Sequence, residues 1–148
     1  MLTIHTAEEL RISWDADPLK GGAVAVEGDR VAGTGPLDVL LERFAGARVR
    51  RWPGVLGPAL VHEGPLPEAP SPRERVHAIL KSGATAVLAE YADTPDLRAA
   101  ASRNEVAVLR SARKPEITDT GRADLAVFDA DGTCLATVCA GRLVHRRR

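Results

Sequence analysis

Residues 52–66, WPGVLGPALVHEGPL, form an apolar run punctuated by proline and glycine that ends beside a histidine. Pro53-Gly54 and Gly64-Pro65 bracket the run, and Val55, Leu56, Leu60 and Val61 are its expected buried residues. His62 stands at the exit, the end of a strand where α/β folds usually hold their chemistry. Immediately beyond, PLPEAPSP places four prolines in eight residues, a stiff connector with few backbone donors. The architecture is therefore expected to change at this stretch.

Upstream, the pattern is β. Leu2 to Ile12 reads as a strand with a polar interruption at Thr6 to Glu9. GAVAVEGDRVAGTG, residues 22–35, reads as a hairpin whose Gly28 supplies the positive φ of a tight turn. A phosphate loop is excluded there, because the Lys and Ser/Thr of the Walker spacing are missing. PLDVLLERF, residues 36–44, sets Leu37, Leu40, Leu41 and Phe44 at helical spacing, a short helix with a core-facing stripe. Ala47 to Trp52 alternates as an edge strand, with Arg48, Arg50 and Arg51 forming a solvated face.

Downstream, strand and helix alternate. Ser71-Pro72-Arg73-Glu74 is a helix start, with Ser71 as N-cap, Pro72 at the first helical position and Glu74 completing a capping box. That helix buries Val76, Ile79 and Leu80, carries Lys81 as a cation on its last turn and stops at Gly83. Thr85 to Ala89 follows as a strand. A second helix starts at Thr94-Pro95, buries Leu97, Ala100 and Ala101 and ends at Asn104, before the strand Glu105 to Arg110. Two short βα units with parallel strands result. After a polar loop, 111–122, the pattern returns to β: ADLAVFD (123–129), a turn at Ala130-Asp131-Gly132, then Thr133 to Cys139 and Arg142 to His145. Arg146, Arg147 and Arg148 read as a frayed end.

Composition bounds the function. The chain has 148 residues, 45% hydrophobic and 27% charged, with twenty basic residues balancing twenty acidic ones. This length suits one domain, residues 1–148, and the zero net charge gives no pull toward nucleic acid or a membrane surface. No signal-peptide pattern opens the sequence and no run suits a membrane span, so a cytoplasmic location is expected. Cys134 and Cys139 are five apart on one expected strand, which points them to opposite faces as two reduced thiols. Trp14, Trp52, Tyr91, Phe44 and Phe128 are the only aromatic side chains of the Phe, Trp and Tyr class, too few for a base-stacking platform.

Three stretches resemble, in order, the metal-dependent amidohydrolase superfamily that includes imidazolonepropionase, cytosine deaminase and dihydroorotase. GGAVAVEGDRVAGTG resembles its N-terminal hairpin, WPGVLGPALV its approach to the first barrel strand, and RADLAVFDADG with TVCAGRLVH its closing strands. The resemblance covers about half the chain. It implies a composite β-sandwich built from both terminal segments, flanking a metal-binding (β/α)8 barrel. The fold class expected is accordingly α+β: a β-sandwich from residues 1–51 and 123–145, with a reduced βα layer over residues 53–110. Only roughly 56 residues lie between Pro67 and Arg122, against the roughly 250 of a typical eight-unit barrel, so a truncated version is implied.

The same resemblance places two metal-binding histidines, one residue apart, at the end of the first barrel strand. In this sequence those positions are Gly64 and Leu66, neither of which can bind a metal. His62 lies two residues too early, and His5, His77 and His145 are distant in sequence. His62-Glu63 is the remaining candidate for proton transfer, although adjacent strand residues face opposite ways. Asp124, Asp129 and Asp131 bracket a hairpin and read as turn chemistry. No catalytic residue, metal or cofactor is assigned. The expectation is a non-catalytic, pseudoenzyme-like binding, regulatory or scaffolding module, forming a homodimer because two helices cover only one face of the parallel strands. A small ligand would sit near His62 and Tyr91. The alternative is a hydrolase of non-peptide carbon–nitrogen bonds whose zinc site is completed by a partner chain or by atypical ligands such as His62 and Glu63. Binding of nucleic acid through Arg48, Arg50, Arg51 and the terminal arginines is the least supported reading.

Overall fold

The computed structural model describes residues 1–147. In chain order the elements are β1 (Leu2–Thr6), β2 (Glu9–Leu10), β3 (Leu19–Lys20), β4 (Gly22–Glu27), β5 (Arg30–Pro36), α1 (Leu37–Arg43), β6 (Arg48–Arg51), β7 (Val55–Pro58), β8 (Leu60–His62), α2 (Pro72–Lys81), β9 (Ala84–Leu88), α3 (Pro95–Arg103), β10 (Ala107–Leu109), β11 (Leu125–Phe128), β12 (Cys134–Cys139) and β13 (Arg142–Arg146). They form a four-stranded sheet ordered β5-β4-β1-β6, a six-stranded sheet ordered β13-β12-β11-β7-β2-β3, and a three-stranded parallel sheet ordered β10-β9-β8. The fold is α+β, as the alternation of patterns implies.

The stretch 52–66 is divided between two of these sheets. β7 pairs antiparallel with β11 and parallel with β2, whereas β8 pairs parallel with β9. The change takes one residue. The Ala59 N–H donates to the Asp124 carbonyl at 3.0 Å, and the next N–H, of Leu60, donates to the Gly83 carbonyl at 2.9 Å. Pro58, the last residue of β7, has no N–H to continue the ladder with β2 beyond the bond from the Arg11 amide to the Leu56 carbonyl. Two glycines in the run serve close packing. At Gly54 (φ +81°) a Cβ would collide with the Phe128 carbonyl, and at Gly57 it would meet the Trp14 ring at 2.6 Å. Trp14 is held on that surface by its own Nε1–H, which donates to the Pro58 carbonyl at 2.8 Å. The sandwich thus takes β7 from the middle of the chain, and the βα layer begins at Leu60.

Both terminal segments contribute to the sandwich core. Val24, Val26 and Val31 of the four-stranded sheet meet Leu56, Leu125, Val127, Ala136 and Val138 of the six-stranded sheet. On the outside of the four-stranded sheet, α1 buries Leu40 against Ile4, Ala23 and Ala25. Leu41 is 39% exposed, so the expected core stripe of this helix narrows to Leu40 with Leu37 and Phe44 half-buried. Seven residues turn only twice, too few for a four-residue stripe to face one surface.

Helices α2 and α3 start as their sequences predict. The Ser71 Oγ accepts from the Glu74 N–H at 3.2 Å and the Thr94 Oγ1 from the Leu97 N–H at 3.1 Å, with proline at the first helical position of each. Glu74 does not reach back to the Ser71 amide; its Oε1 instead takes the Ser71 hydroxyl at 3.1 Å. The helices bury Val76, Ile79, Leu80, Leu97, Ala100 and Ala101 against Val87 of the parallel sheet and against Cys139 and Val144 on the outer face of the six-stranded sheet. The buried Thr137 hydroxyl caps the end of α2, donating to the Leu80 carbonyl at 2.6 Å. One of the orphan acceptors at the helix C-terminus is thereby satisfied from a strand of the other layer.

Three further sequence expectations are corrected. Cys134 and Cys139 share a face: Leu135 is an extra residue, since Val127 pairs with Ala136 and Phe128 with Cys134, and this β-bulge shifts the alternation by one. Cys134 Sγ accordingly lies 3.3 Å from the Thr137 hydroxyl on the helix side, where Cys139 also packs. Both thiols are free and buried. Arg146 is not frayed, because it lies in β13 with its guanidinium 5.3 Å from the centre of the Trp52 ring; Arg148 lies outside the described residues. Finally, the parallel sheet is not bare on its second face, because all five residues of β9 are buried, including Thr85 and Ala86. The sheet remains open at its β10 edge.

His5 is buried in the four-stranded sheet on the register partner of Arg50, and its Nδ1 accepts from the Trp52 indole N–H at 3.2 Å. Burial first, then the Arg50 charge, lower its pKa to about 4 from the ordinary 6.5. The native state therefore resists protonation that the unfolded chain accepts. This contribution to stability is full above pH 6.5 and is lost as pH falls to 4, by about 3 kcal/mol. Urea unfolding at pH 7 and pH 4.5 will show a smaller loss for His5→Gln than for the wild type.

Candidate functional site

The parallel sheet directs its strand ends toward one side. His62 closes β8 and is in register with Val87 of β9; the 3-10 turn Ala89–Tyr91 follows β9 directly. His62 and Tyr91 are thus brought to the same end of the sheet, the position expected of a ligand site. The His62 ring is already engaged, with Nε2 2.9 Å from the Pro65 carbonyl, and Tyr91 packs against the helical core. Glu63 is exposed.

Gly64 and Leu66, the two positions that the resemblance assigns to metal ligands, have different surroundings. A Cβ at Gly64 would meet no atom within 4 Å. Leu66 is 3% exposed and packs among the residues of α2 and α3. A leucine in a helix–sheet core cannot supply a donor, and its own position is fixed by apolar contact. The residues present do not fit the metal centre of the family. Among the described residues, no group of three or more His, Cys, Asp or Glu is placed to hold a metal ion. The hairpin carboxylates have structural partners: Asp129 Oδ1 accepts from the amides of Asp131 and Thr133, both at 2.9 Å, and Asp124 from the Ala140 amide at 2.9 Å.

Two grooves lie away from these strand ends. One, of about 390 Å³, runs between α2 and β13 and is lined by Arg73, Glu74, His77, Asn104 and Arg142. Burial first, then the Lys81, His145 and Arg73 charges, lower the pKa of His77. The second, of about 440 Å³, lies at the starts of β8 and β9, lined by Leu60, Thr85, Arg113, Glu116 and Arg122. Neither is lined by His62 or Tyr91.

Sequence reading missed the polar junction beside the second groove. Arg122 forms an ion pair with Asp124 (2.9 Å), donates to the Glu105 carbonyl, and approaches Cys139 Sγ at 3.2 Å. It ties the 111–122 segment to the α3–β10 turn and to β12, across sequence distances that no local pattern reveals. Burial raises the Cys139 thiol pKa to about 11, with Arg122 opposing the shift, so the sulfur is a protonated core group and not a nucleophile.

Comparison with solved structures identifies the arrangement. The chain shares its fold with part of several amidohydrolase-superfamily deaminases and hydrolases. It superposes on Escherichia coli guanine deaminase with a TM-score of 0.56 and 14% identity over 73% of this chain and 35% of that one. An adenosine deaminase from Xanthomonas campestris with bound zinc gives a TM-score of 0.55 and 20% identity over 72% of this chain and 33% of that one. Aspergillus niger ochratoxinase gives 0.50 and 17% over 78% and 30%. At these identities the likeness is one of fold. The chain spans about a third of the length of these amidohydrolase-superfamily structures. No family model and no curated protein matches the sequence.

The contrast between two neighbouring positions of this amidohydrolase-fold chain is measurable. Leu66→Ala is expected to cost about 2–4 kcal/mol as a core truncation, whereas Gly64→Ala will leave the urea midpoint close to that of the wild type.

Proposed function

We propose that the chain is a non-catalytic module of amidohydrolase fold, working by association in a regulatory or scaffolding role. The observation that carries this reading is Leu66: the position that the family resemblance assigns to a metal-binding histidine is filled by a leucine locked into the α2–α3 core. The companion position, Gly64, has no side chain, and the nearest imidazole, His62, is engaged by the Pro65 carbonyl. Removing the donors that polarise a water or a carbonyl leaves the fold but not the chemistry.

Self-association is supported at the β10 edge. Among the described residues, Ala107–Leu109 pairs only with β9, and Val108 is 39% exposed on a strand with one unpaired side. An apolar free edge is a template for a further strand. A second copy brought edge to edge extends the parallel sheet and removes Val108 from water.

Light scattering on the purified protein at micromolar concentration is expected to give a dimer, and Val108→Lys to give a monomer. A monomeric wild type overturns self-association. Elemental analysis of the same sample is expected to find no stoichiometric zinc; zinc at one per chain, lost in His62→Ala, would replace this reading with that of a metal-dependent hydrolase.

A further inference from the structure

β6 and β13 are edge strands of the two sandwich sheets, and Arg146 of β13 reaches Trp52, which follows β6 directly. Arg48 and Arg50 lie on the same face of β6, two residues apart, and Trp52 continues that alternation. The Trp52 indole donates to His5, the register partner of Arg50, and the guanidinium of Arg146 from β13 lies over the Trp52 ring. Arg48, Arg50 and Arg146 from two strands are thus grouped, with Arg50 within charge range of the other two and Arg146 over Trp52, and with Arg51 and Arg147 next in sequence. The ion pairs among the described residues lie elsewhere, at Asp29, Asp15, Asp124 and Glu105. Burial first, then the charges of Arg48 and Arg146, lower the pKa of Arg50.

The backbone beside this cluster is equally unpaired. The Trp52 N–H donates to the Thr6 carbonyl at 2.8 Å, so alternation turns the amides of Arg48 and Arg50 toward β1 and those of Val49 and Arg51 outward. Among the described residues, β6 has no neighbour on that side. A row of free donors and acceptors flanked by guanidinium groups matches an extended chain bearing carboxylates at alternate positions, spaced by roughly 7 Å as in any strand. Nucleic acid fits less well, because Trp52 is 9% exposed and Arg146 covers its ring, leaving no stacking surface.

We propose that β6 is a docking edge for an extended acidic peptide strand, whose alternate carboxylates engage Arg48, Arg50 and Arg146 while its backbone pairs with Val49 and Arg51. The surface is distinct from the β10 edge, so it does not depend on self-association.

The test is fluorescence anisotropy with the full chain and three labelled probes of equal charge: an alternating Glu-Thr peptide, a peptide of the same composition with its glutamates in one block, and a single-stranded oligonucleotide. The alternating peptide is expected to bind roughly tenfold more tightly than the block peptide, and Arg48→Gln with Arg50→Gln to remove that preference. Arg51→Pro, which deletes an outward amide, is expected to weaken binding more than Arg51→Gln. Equal affinity for the two peptides, an oligonucleotide bound as tightly as the alternating peptide, or no binding of any probe overturns the proposal.

Discussion

Two consecutive amides set the arrangement of this molecule. Ala59 donates into the six-stranded sheet and Leu60 into the parallel sheet. Because successive amides along a strand point to opposite sides, one chain can belong to two sheets only where it passes between them, and here the passage takes a single peptide unit. Everything on the N-terminal side of that peptide is sandwich, and everything from Leu60 to Leu109 is βα layer. Pro58 ends one ladder, and Gly54 and Gly57 let Phe128 and Trp14 close over the crossing strand.

The layers are fastened by few polar contacts and much apolar surface. The six-stranded sheet is buried on both faces: Leu125, Val127, Ala136 and Val138 look into the sandwich, while Cys139 and Val144 look toward α2 and α3. Thr137 adds a hydrogen bond to the end of α2, and Arg122 joins the long 111–122 segment to α3 and β12. A β-bulge at Leu135 makes this possible, since it turns Cys134, Thr137 and Cys139 to the helix side in succession. The molecule is thus organised as sheet on sheet on helix on parallel sheet, with α1 as an outer cover.

That construction accounts for the state of the strand end where a site was expected. A metal centre there needs donors presented into open space. At Leu66 the chain has already turned back into the helical core, and at Gly64 it offers no side chain. The available cations are elsewhere, concentrated at the β6 and β13 edges. There Arg146 rests on Trp52 and Arg50 is held beside a neutral His5.

The sequence by itself determined whatever depends on neighbours within a few residues. Gly28 sets the β4–β5 turn, Ser71-Pro72 and Thr94-Pro95 start two helices, Asp129 closes the last hairpin through its own carboxylate, and Gly64 and Leu66 lack metal donors. Family resemblance in the terminal strands added the sandwich. Tertiary structure alone decided what depends on register: the division of β7 from β8, the bulge that turned both cysteines to one face, and the burial of Thr85 and Ala86. It also decided the placing of Arg146 over Trp52 and the convergence of Arg122, Glu105 and Cys139. The physical reason is the period of two. A strand shows its alternation in sequence, but a single inserted residue or the choice of pairing partner reverses every face after it, and only the packed chain fixes that choice.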